Sequence, residues 1–364
     1  MPHRLQGPVR IVGTGLLGTS IGLGLRSRGV DVQLHDASPS QAALAADYGA
    51  GRLAAEGDDP ELIVVAVPPD VTAEVVASEL QAFPRALVTD VASVKRLPLE
   101  QHRAAGADVS RYLGTHPMAG KEHSGALSGS GDLFLGRPWV IAGHDGISYA
   151  AGSLVDDLIL DLGAVPFEMS VEEHDRAVAL VSHVPQLVSS LMASLLTDAP
   201  NDSLRLAGGG VRDVTRVAAS DPALWVQILS ANAADVAQLL RSLRDELDGV
   251  IDALDEPSRQ GALRTIADSL LAGNQGVARL PGKHGTSKRF ATILVRVDDR
   301  PGQLARLLTD IGDANVNMED VRLEHAEGSQ FGVAEILISP EALRECETVL
   351  EELGWRVLGT REAL

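Results

Sequence analysis

The chain has 364 residues, a formal net charge of −19 and a single cysteine, Cys346. The acidic balance argues against nucleic acid or an anionic membrane as a partner, because both are negatively charged. One cysteine excludes internal disulfides and a cysteine-based metal cluster, and it fits a reducing, cytoplasmic compartment. No signal peptide is predicted, because an apolar strand begins within about ten residues of Met1, and no apolar run reaches the roughly 20 residues that span a bilayer.

The first motif is an apolar strand at residues 9–12 that runs into Gly13-Thr14-Gly15-Leu16-Leu17-Gly18 and then an apolar helix. Strand, glycine turn and helix N-terminus are the setting that a dinucleotide fingerprint requires. Gly13 makes the turn, Gly15 lets the backbone approach a pyrophosphate at the positive helix end, and Gly18 lets helix and strand pack closely. Leu16 and Leu17 complete the predicted cofactor-binding segment.

A carboxylate follows the second predicted strand, where Asp36 stands 18 residues after Gly18. Such a carboxylate accepts hydrogen bonds from the ribose hydroxyls of the cofactor. It would repel a 2′-phosphate, and the following residues 37–39 supply no cation to pair one. The pattern predicts NAD rather than NADP. The next apolar strand ends at Val67 and Pro68, and these two residues join the predicted cofactor site.

The periodicity of the chain changes twice and divides it into domains. Residues 1–147 alternate strand and helix, which predicts a Rossmann-type, doubly wound α/β domain that binds NAD. Residues 148–280 are helical in pattern with apolar residues on several faces, which predicts an all-α domain for substrate binding and dimerisation. Residues 281–289 are typical of a linker, and 290–364 follow the β-α-β-β-α-β order of a ferredoxin-like α+β module.

Two polar segments, 90–95 and 116–122, follow predicted strands on the side where doubly wound sheets bind ligands. A histidine such as His116 can accept a proton from a substrate hydroxyl while hydride leaves the same carbon. Ser93, at the neighbouring strand end, can share the hydrogen bond of that hydroxyl. The competing interpretations are a loop histidine bound to backbone and an ordinary turn serine.

The helical region contributes a polar face within the predicted long helix 171–196. The helical period places Asp175, Ala179, His183 (or the adjacent Ser182) and Gln186 on one side. Such a face either lines a pocket or meets solvent. The nearby Pro185 predicts a kink and favours the pocket.

A triple glycine, 208–210, precedes two arginines that are four residues apart, Arg212 and Arg216. On a helix this spacing places both guanidinium groups on one face, where they can bind one anion. Exposed, solvated arginines are the alternative interpretation.

Taken together, these motifs resemble the prephenate dehydrogenase family of tyrosine biosynthesis, in its form with a C-terminal ACT domain. The resemblance covers nearly the whole chain. The matching segments are GTGLLG at 13–18, DVASVK at 90–95, THPMAGKEHSG at 115–125, HDRAVALVSHVPQ at 174–186, GGGVRDVTRVAASDPALW at 208–225 and DRPGQL at 299–304.

The resemblance implies an oxidation in which hydride leaves C4 of a cyclohexadiene for NAD and carbon dioxide leaves C1, giving an aromatic ring. Aromatisation supplies the driving force, so no metal is expected. It implies that His116 and Ser93 bind the C4 hydroxyl and that Arg216 binds a substrate carboxylate. It further implies a homodimer and a pocket that includes Arg212, Asp175, Glu122, His183 and Trp225.

Two departures from the family pattern bear on the substrate. Gln186 stands where family members often have a second histidine that faces the substrate side chain, and Lys121 replaces a small residue of some relatives. The accepted side chain is therefore the pyruvyl group of prephenate or the alanyl group of arogenate. Arg212 and Arg216 favour prephenate, the more anionic of the two.

The C-terminal module carries a predicted regulatory site for an amino acid. Gly302 opens a helix whose free N–H groups suit a carboxylate, Asp299 can meet an ammonium group, and Asn317 offers an amide donor and acceptor. The end product of the pathway, tyrosine, is the expected effector. The alternative is a module that only dimerises or packs.

Two other functions compete with this interpretation. A β-hydroxyacid dehydrogenase shares the two-domain plan, but that class relies on a lysine in its helical domain, and residues 171–225 contain none. An amino-acid-binding regulator with an inactive dehydrogenase domain is the candidate from another class. The intact Asp36, His116 and Arg216 argue against it.

Overall fold

The computed structural model describes residues 4–120, 125–147, 149–280, 290–325 and 331–362. The predicted linker, 281–289, lies outside the described residues. The chain divides into two compact units, and each is described by itself. The first unit is Met1–Ala193 with Arg216–Leu243, and the second is Ser194–Thr215 with Arg244–Leu364.

The first unit is built on strands and helices that alternate along the chain, as the sequence predicted. In chain order these elements are β1 (Val9–Val12), α1 (Leu16–Arg26), β2 (Val32–His35), α2 (Pro39–Asp47), β3 (Arg52–Leu53), β4 (Leu62–Val65), α3 (Pro69–Ala82), β5 (Leu87–Asp90), α4 (Arg96–Ala104), β6 (Tyr112–Pro117), β7 (Pro138–Gly143), α5 (Tyr149–Asp161) and β8 (Val165–Ser170).

The eight strands form one sheet in the order β3-β2-β1-β4-β5-β6-β7-β8. Strands β1 to β6 are parallel, and the strand order reverses between β1 and β4, which makes a doubly wound sheet. Strand β7 runs antiparallel to β6, and β8 is parallel to β7. Because β8 belongs to this sheet, the α/β domain extends to Ser170, and the predicted boundary at 147 falls inside it.

Helices cover both faces of the sheet, which is why every residue of β1, β4 and β5 is buried. One apolar cluster includes Ile11, Leu34 and Trp139, and the other includes Ile63 and Val88. Successive side chains along a strand point to opposite faces of the sheet, so the two clusters lie on its two faces, each beneath the helices on that side.

The helical part of the first unit begins directly at the end of β8. A reciprocal capping box between Ser170 and Glu173 starts α6 (Val171–Val178). A π-helical turn, Ala179–His183, then leads into α7 (Val184–Ser194), which contains Pro185. The predicted distortion is confirmed, and it takes the form of a π turn immediately before the proline-containing helix.

Among the described residues, the helical stretch Val171–Ser194 is long and apolar enough to cross a membrane by length and composition. The sequence-based expectation that no such run exists is therefore not met. A core helix of a soluble protein passes the same test, so this is weak evidence for a membrane span.

Further helical segments follow α7 in the chain. They are α8 (Asn201–Leu204), α9 (Gly209–Thr215), a 3₁₀ turn (Arg216–Ala218), α10 (Pro222–Ala231), α11 (Ala233–Asp255) and α12 (Ala262–Val277). Helices α10 and α11 are separate, because Asn232 leaves the helical conformation between them.

The C-terminal module has the predicted element order. Its elements are β9 (Ala291–Asp298), α13 (Gln303–Asp313), β10 (Met318–His325), β11 (Phe331–Ile338), α14 (Leu343–Glu352) and β12 (Arg356–Glu362). The four strands form an antiparallel sheet in the order β10-β11-β9-β12. Both helices supply residues to a separate apolar core, in which Cys346 is fully buried. Cys346 is therefore a packing residue of this core.

Candidate active site

A cavity of about 580 Å³ lies at the carboxyl ends of β1, β2 and β4, next to the point where the strand order reverses. Doubly wound sheets bind ligands in this crevice. Its lining includes five of the predicted cofactor residues, which are Gly13, Gly15, Asp36, Val67 and Pro68. The other three, Leu16, Leu17 and Gly18, form the first turn of α1.

The three fingerprint glycines have different physical roles. Gly13 has a left-handed backbone with φ of 95°, and a Cβ there would lie 2.4 Å from the carbonyl oxygen of Ala66. A Cβ at Gly18 would lie 1.9 Å from the carbonyl oxygen of Gly13. A Cβ at Gly15 would meet nothing within 4 Å. Gly13 and Gly18 are therefore needed for the turn itself, whereas Gly15 keeps space open for a ligand.

The carboxylate of Asp36 is held in place at the cavity. Its Oδ2 accepts hydrogen bonds from the backbone N–H and the hydroxyl of Thr14 at 2.7 and 2.9 Å, and its Oδ1 accepts one from the N–H of Ser38 at 2.8 Å. Carboxylate oxygens have further lone pairs, so Asp36 can also accept hydrogen bonds from ribose hydroxyls. Thr14, which the sequence did not single out, thus ties the glycine turn to the end of β2.

The charges around the cavity are negative. Asp36, Glu74 and Glu79 line it, and the described lining contains no lysine or arginine. Glu79 is paired with Arg10, whose Nε lies 2.9 Å from its carboxylate. These carboxylates would repel the 2′-phosphate of NADP, and no cation in the described lining could pair with it. The cavity therefore favours NAD over NADP.

His116 lies at the carboxyl end of β6 and is only 9% exposed. Gly114 of β6 is level with Asp90 of β5 and, through β4, with Val12 of β1. His116 is two residues beyond this level and therefore lies at the same edge of the sheet as Gly13. Strands β1 and β6 are three strand spacings apart, which is about 14 Å. The predicted position of this histidine on the cofactor side of the sheet is confirmed.

A hydrogen-bonded chain connects His116 to the helical region. Its Nδ1 lies 3.0 Å from Nε2 of His174, and Nδ1 of His174 lies 2.8 Å from Oδ1 of Asp175. Burial lowers the pKa of His116 well below its ordinary value, and positive charge on His174, Lys95 or His183 lowers it further. At neutral pH His116 is therefore uncharged, which is the state in which an imidazole accepts a proton.

Asp175 is fully buried and receives three hydrogen bonds on its carboxylate. Besides the His174 ring, the backbone N–H groups of Lys95 and Arg96 donate to it at 2.9 and 3.0 Å. Burial raises the pKa of this carboxyl, but the hydrogen bonds outweigh burial and the pKa is lowered. The main-chain oxygen of Asp175 accepts a further hydrogen bond from Asn232 at 2.7 Å. Asp175 is therefore ionised, and it connects His174, the start of α4 and Asn232 through hydrogen bonds.

A buried ion pair lies near this chain. The ammonium of Lys95 contacts Oδ1 of Asp90, with both side chains inaccessible to solvent, and the hydroxyl of Tyr112 donates to Oδ2 of Asp90 at 2.7 Å. Burial lowers the pKa of Lys95, while the charge of Asp90 opposes that shift. Removing one partner of such a pair leaves an uncompensated buried charge, so the pair is structurally important.

A second polar cluster surrounds His183 in the π-helical turn. Its Nδ1 lies 3.2 Å from Nδ2 of Asn232, and its ring stands edge-on to that of Trp225 at a centroid distance of 6.2 Å. Burial lowers the pKa of His183 to about 4. Its Nε2 is buried without a hydrogen-bond partner among the described residues. The amide of Gln186 donates to Ser220 at 2.6 Å.

The polar face predicted for the long helix is therefore buried. Asp175, Ala179, His183 and Gln186 are at most 7% exposed, so this face does not meet solvent.

The structure gives less support to the remaining predicted substrate residues. Ser93 is half-buried in the turn after β5, and no hydrogen bond joins it to His116. Helix α9 carries Arg212 and ends at Thr215, so Arg216 begins the 3₁₀ turn instead of continuing the same α-helix. Both arginines are exposed. Glu122, like Lys121, lies outside the described residues.

The predicted regulatory residues lie around the start of α13. Gly302 is the N-cap residue with φ of 85°, and Asp299 is exposed between β9 and this helix. Asn317 precedes β10, and its amide donates to Glu319 at 2.7 Å. These positions leave the regulatory assignment a prediction.

Sequence reasoning missed several residues that the fold brings to the site. His174 could have been identified from the sequence, because it is adjacent to Asp175 in the motif at 174–186. Thr14 also lies inside a recognised motif. The sequence did not indicate Asn232 or Ser220. Each contacts its partner, Asp175 or Gln186, only in the folded protein, because the two residues of each pair are dozens of positions apart in the chain.

Two family models match the chain. One is described as prephenate dehydrogenase, nucleotide-binding domain, and matches residues 21–166. The other is described as prephenate dehydrogenase, dimerization domain, and matches residues 170–267.

Similar proteins agree with these matches. The probable prephenate dehydrogenase NovF of Streptomyces niveus is 37% identical over 95% of this chain and 97% of its own length. The prephenate dehydrogenase of Lactococcus lactis is 23% identical over 94% and 97%. The crystal structure of prephenate dehydrogenase from A. aeolicus, in complex with hydroxyphenyl propionate and NAD⁺, has a TM-score of 0.65 and 25% identity, and the match covers 74% of this chain and 98% of that one.

The fold and the site define a nucleotide-dependent dehydrogenase with a doubly wound domain followed by a helical domain. Within that class, the chain belongs to the prephenate dehydrogenase family.

The three glycine roles yield a prediction. Gly15→Ala should change the melting temperature by less than about 3 °C, because φ at Gly15 is −71° and the site of the added methyl is open. It should nevertheless weaken NAD binding at least ~10-fold, because the methyl group occupies the space that the pyrophosphate needs. Calorimetric titration with NAD measures the affinity, and a thermal melt measures the melting temperature. Gly249→Ala, which also adds a methyl in open space, is the matched control. Unchanged NAD affinity in Gly15→Ala would contradict the assignment.

Proposed function

We propose that this protein catalyses the NAD-dependent oxidative decarboxylation of prephenate to 4-hydroxyphenylpyruvate. The observation that carries the proposal is the buried, neutral His116 at the cofactor edge of the sheet, in a chain of this family. Both prephenate dehydrogenase relatives and the NAD⁺ complex of the A. aeolicus enzyme support it.

The residues present fit NAD. Gly15 leaves open space at the N-terminus of α1, and Asp36 stands with fixed oxygens at the rim of the same cavity. The helix terminus would hold the pyrophosphate and Asp36 the ribose hydroxyls. When bound, NAD supplies the acceptor for the hydride that leaves C4 of the substrate.

The protein has three tasks in this reaction. It holds the anionic substrate, for which Arg216 and Arg212 are the candidate cations and Ser93 a candidate partner of the hydroxyl. It removes the proton of the C4 hydroxyl, for which His116 is the base. Its third task is to orient the ring, which we assign to the polar cluster around His183: its Nε2 is left as a hydrogen-bond donor, because its Nδ1 faces the amide of Asn232.

The direct test is to assay the purified enzyme with prephenate and with arogenate, each with NAD and with NADP, by the absorbance of the reduced cofactor. Prephenate with NAD should give the largest kcat/KM. Failure to reduce NAD with either substrate would refute the proposed function.

One observation favours arogenate as a second candidate substrate. The amide nitrogen of Gln186 is engaged by Ser220, so its carbonyl oxygen is the group left to face a ligand. A carbonyl oxygen accepts a hydrogen bond from an ammonium group, which the alanyl side chain of arogenate has and the pyruvyl side chain of prephenate lacks. The same assay decides between the two, because a higher kcat/KM with arogenate would reverse the assignment.

The role of Arg216 can be tested separately. Arg216→Ala should raise the KM for prephenate ~30- to 150-fold, since a charge-assisted bidentate contact contributes about 2–3 kcal/mol. Arg241→Ala, which removes an exposed arginine from α11, is the control and should leave KM unchanged. Steady-state kinetics at saturating NAD gives both values. A wild-type KM in Arg216→Ala would remove this residue from the substrate site.

We further propose that the helical region forms a homodimer. Support comes from the match to a dimerization domain at 170–267 and from large apolar side chains that remain exposed on the helices of the first unit, including Leu180, Val181 and Leu191. Burying such side chains between two copies would remove apolar surface from water. Light scattering at micromolar concentration should give twice the chain mass of 38.2 kDa. A monomer mass would contradict the proposal.

The C-terminal module is proposed to be an ACT domain that binds tyrosine. Support comes from its β-α-β-β-α-β order and from Asp299, Gly302 and Asn317 near the start of α13. A ligand there can regulate the enzyme only if it binds two arrangements of the protein unequally.

Truncation tests this regulatory role. A chain that ends at residue 282 should keep its activity and lose most of its inhibition by tyrosine. The full-length chain with Asp299→Ala should show a similar loss, because the ammonium group loses its partner. The measurement is an inhibition curve at fixed prephenate. Identical curves for the intact and truncated chains would place tyrosine at the active site instead.

A further inference from the structure

The hydrogen-bonded chain from His116 through His174 to Asp175 ends inside the protein. The three residues are 9%, 0% and 0% exposed, and the two contacts measure 3.0 and 2.8 Å. A neutral imidazole has one N–H and one lone pair on its two ring nitrogens. Each ring in such a chain must therefore donate at one nitrogen and accept at the other.

The carboxylate determines the direction of the chain. Asp175 is ionised and can only accept, so Nδ1 of His174 must be the donor to it. Burial lowers the pKa of His174, which keeps this ring neutral next to Asp175. The lone pair of His174 is then at Nε2, and the contact with His116 must be made by the Nδ1–H of His116.

We propose that His174 is a positioning residue that holds His116 in the tautomer protonated at Nδ1, so that Nε2 of His116 is the proton acceptor. This inference rests on the proposed function only for the source of the proton. In that reaction the O–H bond of the C4 hydroxyl breaks, the proton moves to Nε2, and the electron pair forms the carbonyl as hydride leaves C4.

Asp175 keeps its charge throughout this step. The imidazolium that forms on His116 donates through His174 toward the carboxylate, in the way that the aspartate of a serine-protease triad orients and supports its histidine. The other groups that act on His116 are Lys95 and His183. Lys95 is a donor already paired with Asp90, and the lone pair of His183, at Nδ1, faces the amide of Asn232, so neither group can accept the hydrogen bond of His116 instead.

The tautomer can be observed without any turnover. In protein labelled with ¹⁵N-histidine, the ring nitrogens of His116 give separate NMR signals for a protonated and an unprotonated nitrogen, and His116→Asn assigns them by their loss. At pH 7.5 we expect a protonated Nδ1 and an unprotonated Nε2. A protonated Nε2 would overturn the proposal, even if the enzyme oxidises prephenate.

Two substitutions at His174 test the consequence. His174→Phe keeps a ring of similar shape but removes both nitrogens, while Asp175 retains the N–H groups of Lys95 and Arg96. Its kcat should fall at least ~100-fold and up to ~10⁴-fold, the cost of a base held in the wrong tautomer, with KM changed less than ~3-fold. His174→Gln, whose amide oxygen can accept from His116, should recover part of kcat.

The matched control is His102→Phe. His102 is likewise a buried histidine, 1% exposed, but it packs against Tyr112 and has no contact with His116. This variant should keep the wild-type kcat and the His116 signals.

The outcomes separate the proposal from the proposed function. A wild-type kcat in His174→Phe, or a loss confined to KM, would overturn the positioning role. If His174→Phe does not fold, the NMR signals of the wild-type protein and the kcat of His174→Gln still decide. If NMR shows the expected tautomer but the enzyme does not oxidise prephenate, the hydrogen-bonded chain from His116 to Asp175 is correct and the proposed substrate is wrong.

Discussion

The carboxylate of Asp175 is the group on which the site depends. Transferring a charge from water to the protein interior costs several kcal/mol unless hydrogen bonds replace its hydration. Here two backbone N–H groups at the start of α4 and the ring of His174 replace it, and the main-chain oxygen of Asp175 accepts a hydrogen bond from Asn232. One buried charge therefore connects the end of the parallel sheet, the start of α6 and the break between α10 and α11.

The sheet supplies the frame within which this connection forms. Strands β6, β7 and β8 are neighbours, and His116 is level with Val140 and, through β7, with Phe167. The chain leaves β8 at Ser170 and enters α6 at once through the capping box, so His174 is reached within the first turn of the helix. The direct passage from strand to helix explains how a residue 58 positions later in the sequence comes within 3.0 Å of His116.

The cofactor half of the site was predictable because its chemistry is local. A strand, three glycines at fixed spacing and a carboxylate after the next strand lie within about 30 residues, and backbone sterics give Gly13 and Gly18 the roles assigned from the pattern. Helical periodicity also predicted that Asp175, His183 and Gln186 share one face, and Pro185 favoured a pocket for it, but only the structure shows that this face is buried.

The sequence by itself determined the element order, the doubly wound sheet, the position of His116 at a strand end and the β-α-β-β-α-β module, because periodicity and turn chemistry act over short stretches of chain. Only the tertiary structure showed that the sheet continues to Ser170, that Arg216 lies beyond the end of α9 and that His174 stands between His116 and Asp175. These features depend on contacts between segments far apart in the chain. A hydrogen bond between such segments leaves no periodic signal, since its two partners are placed by the packing of everything between them.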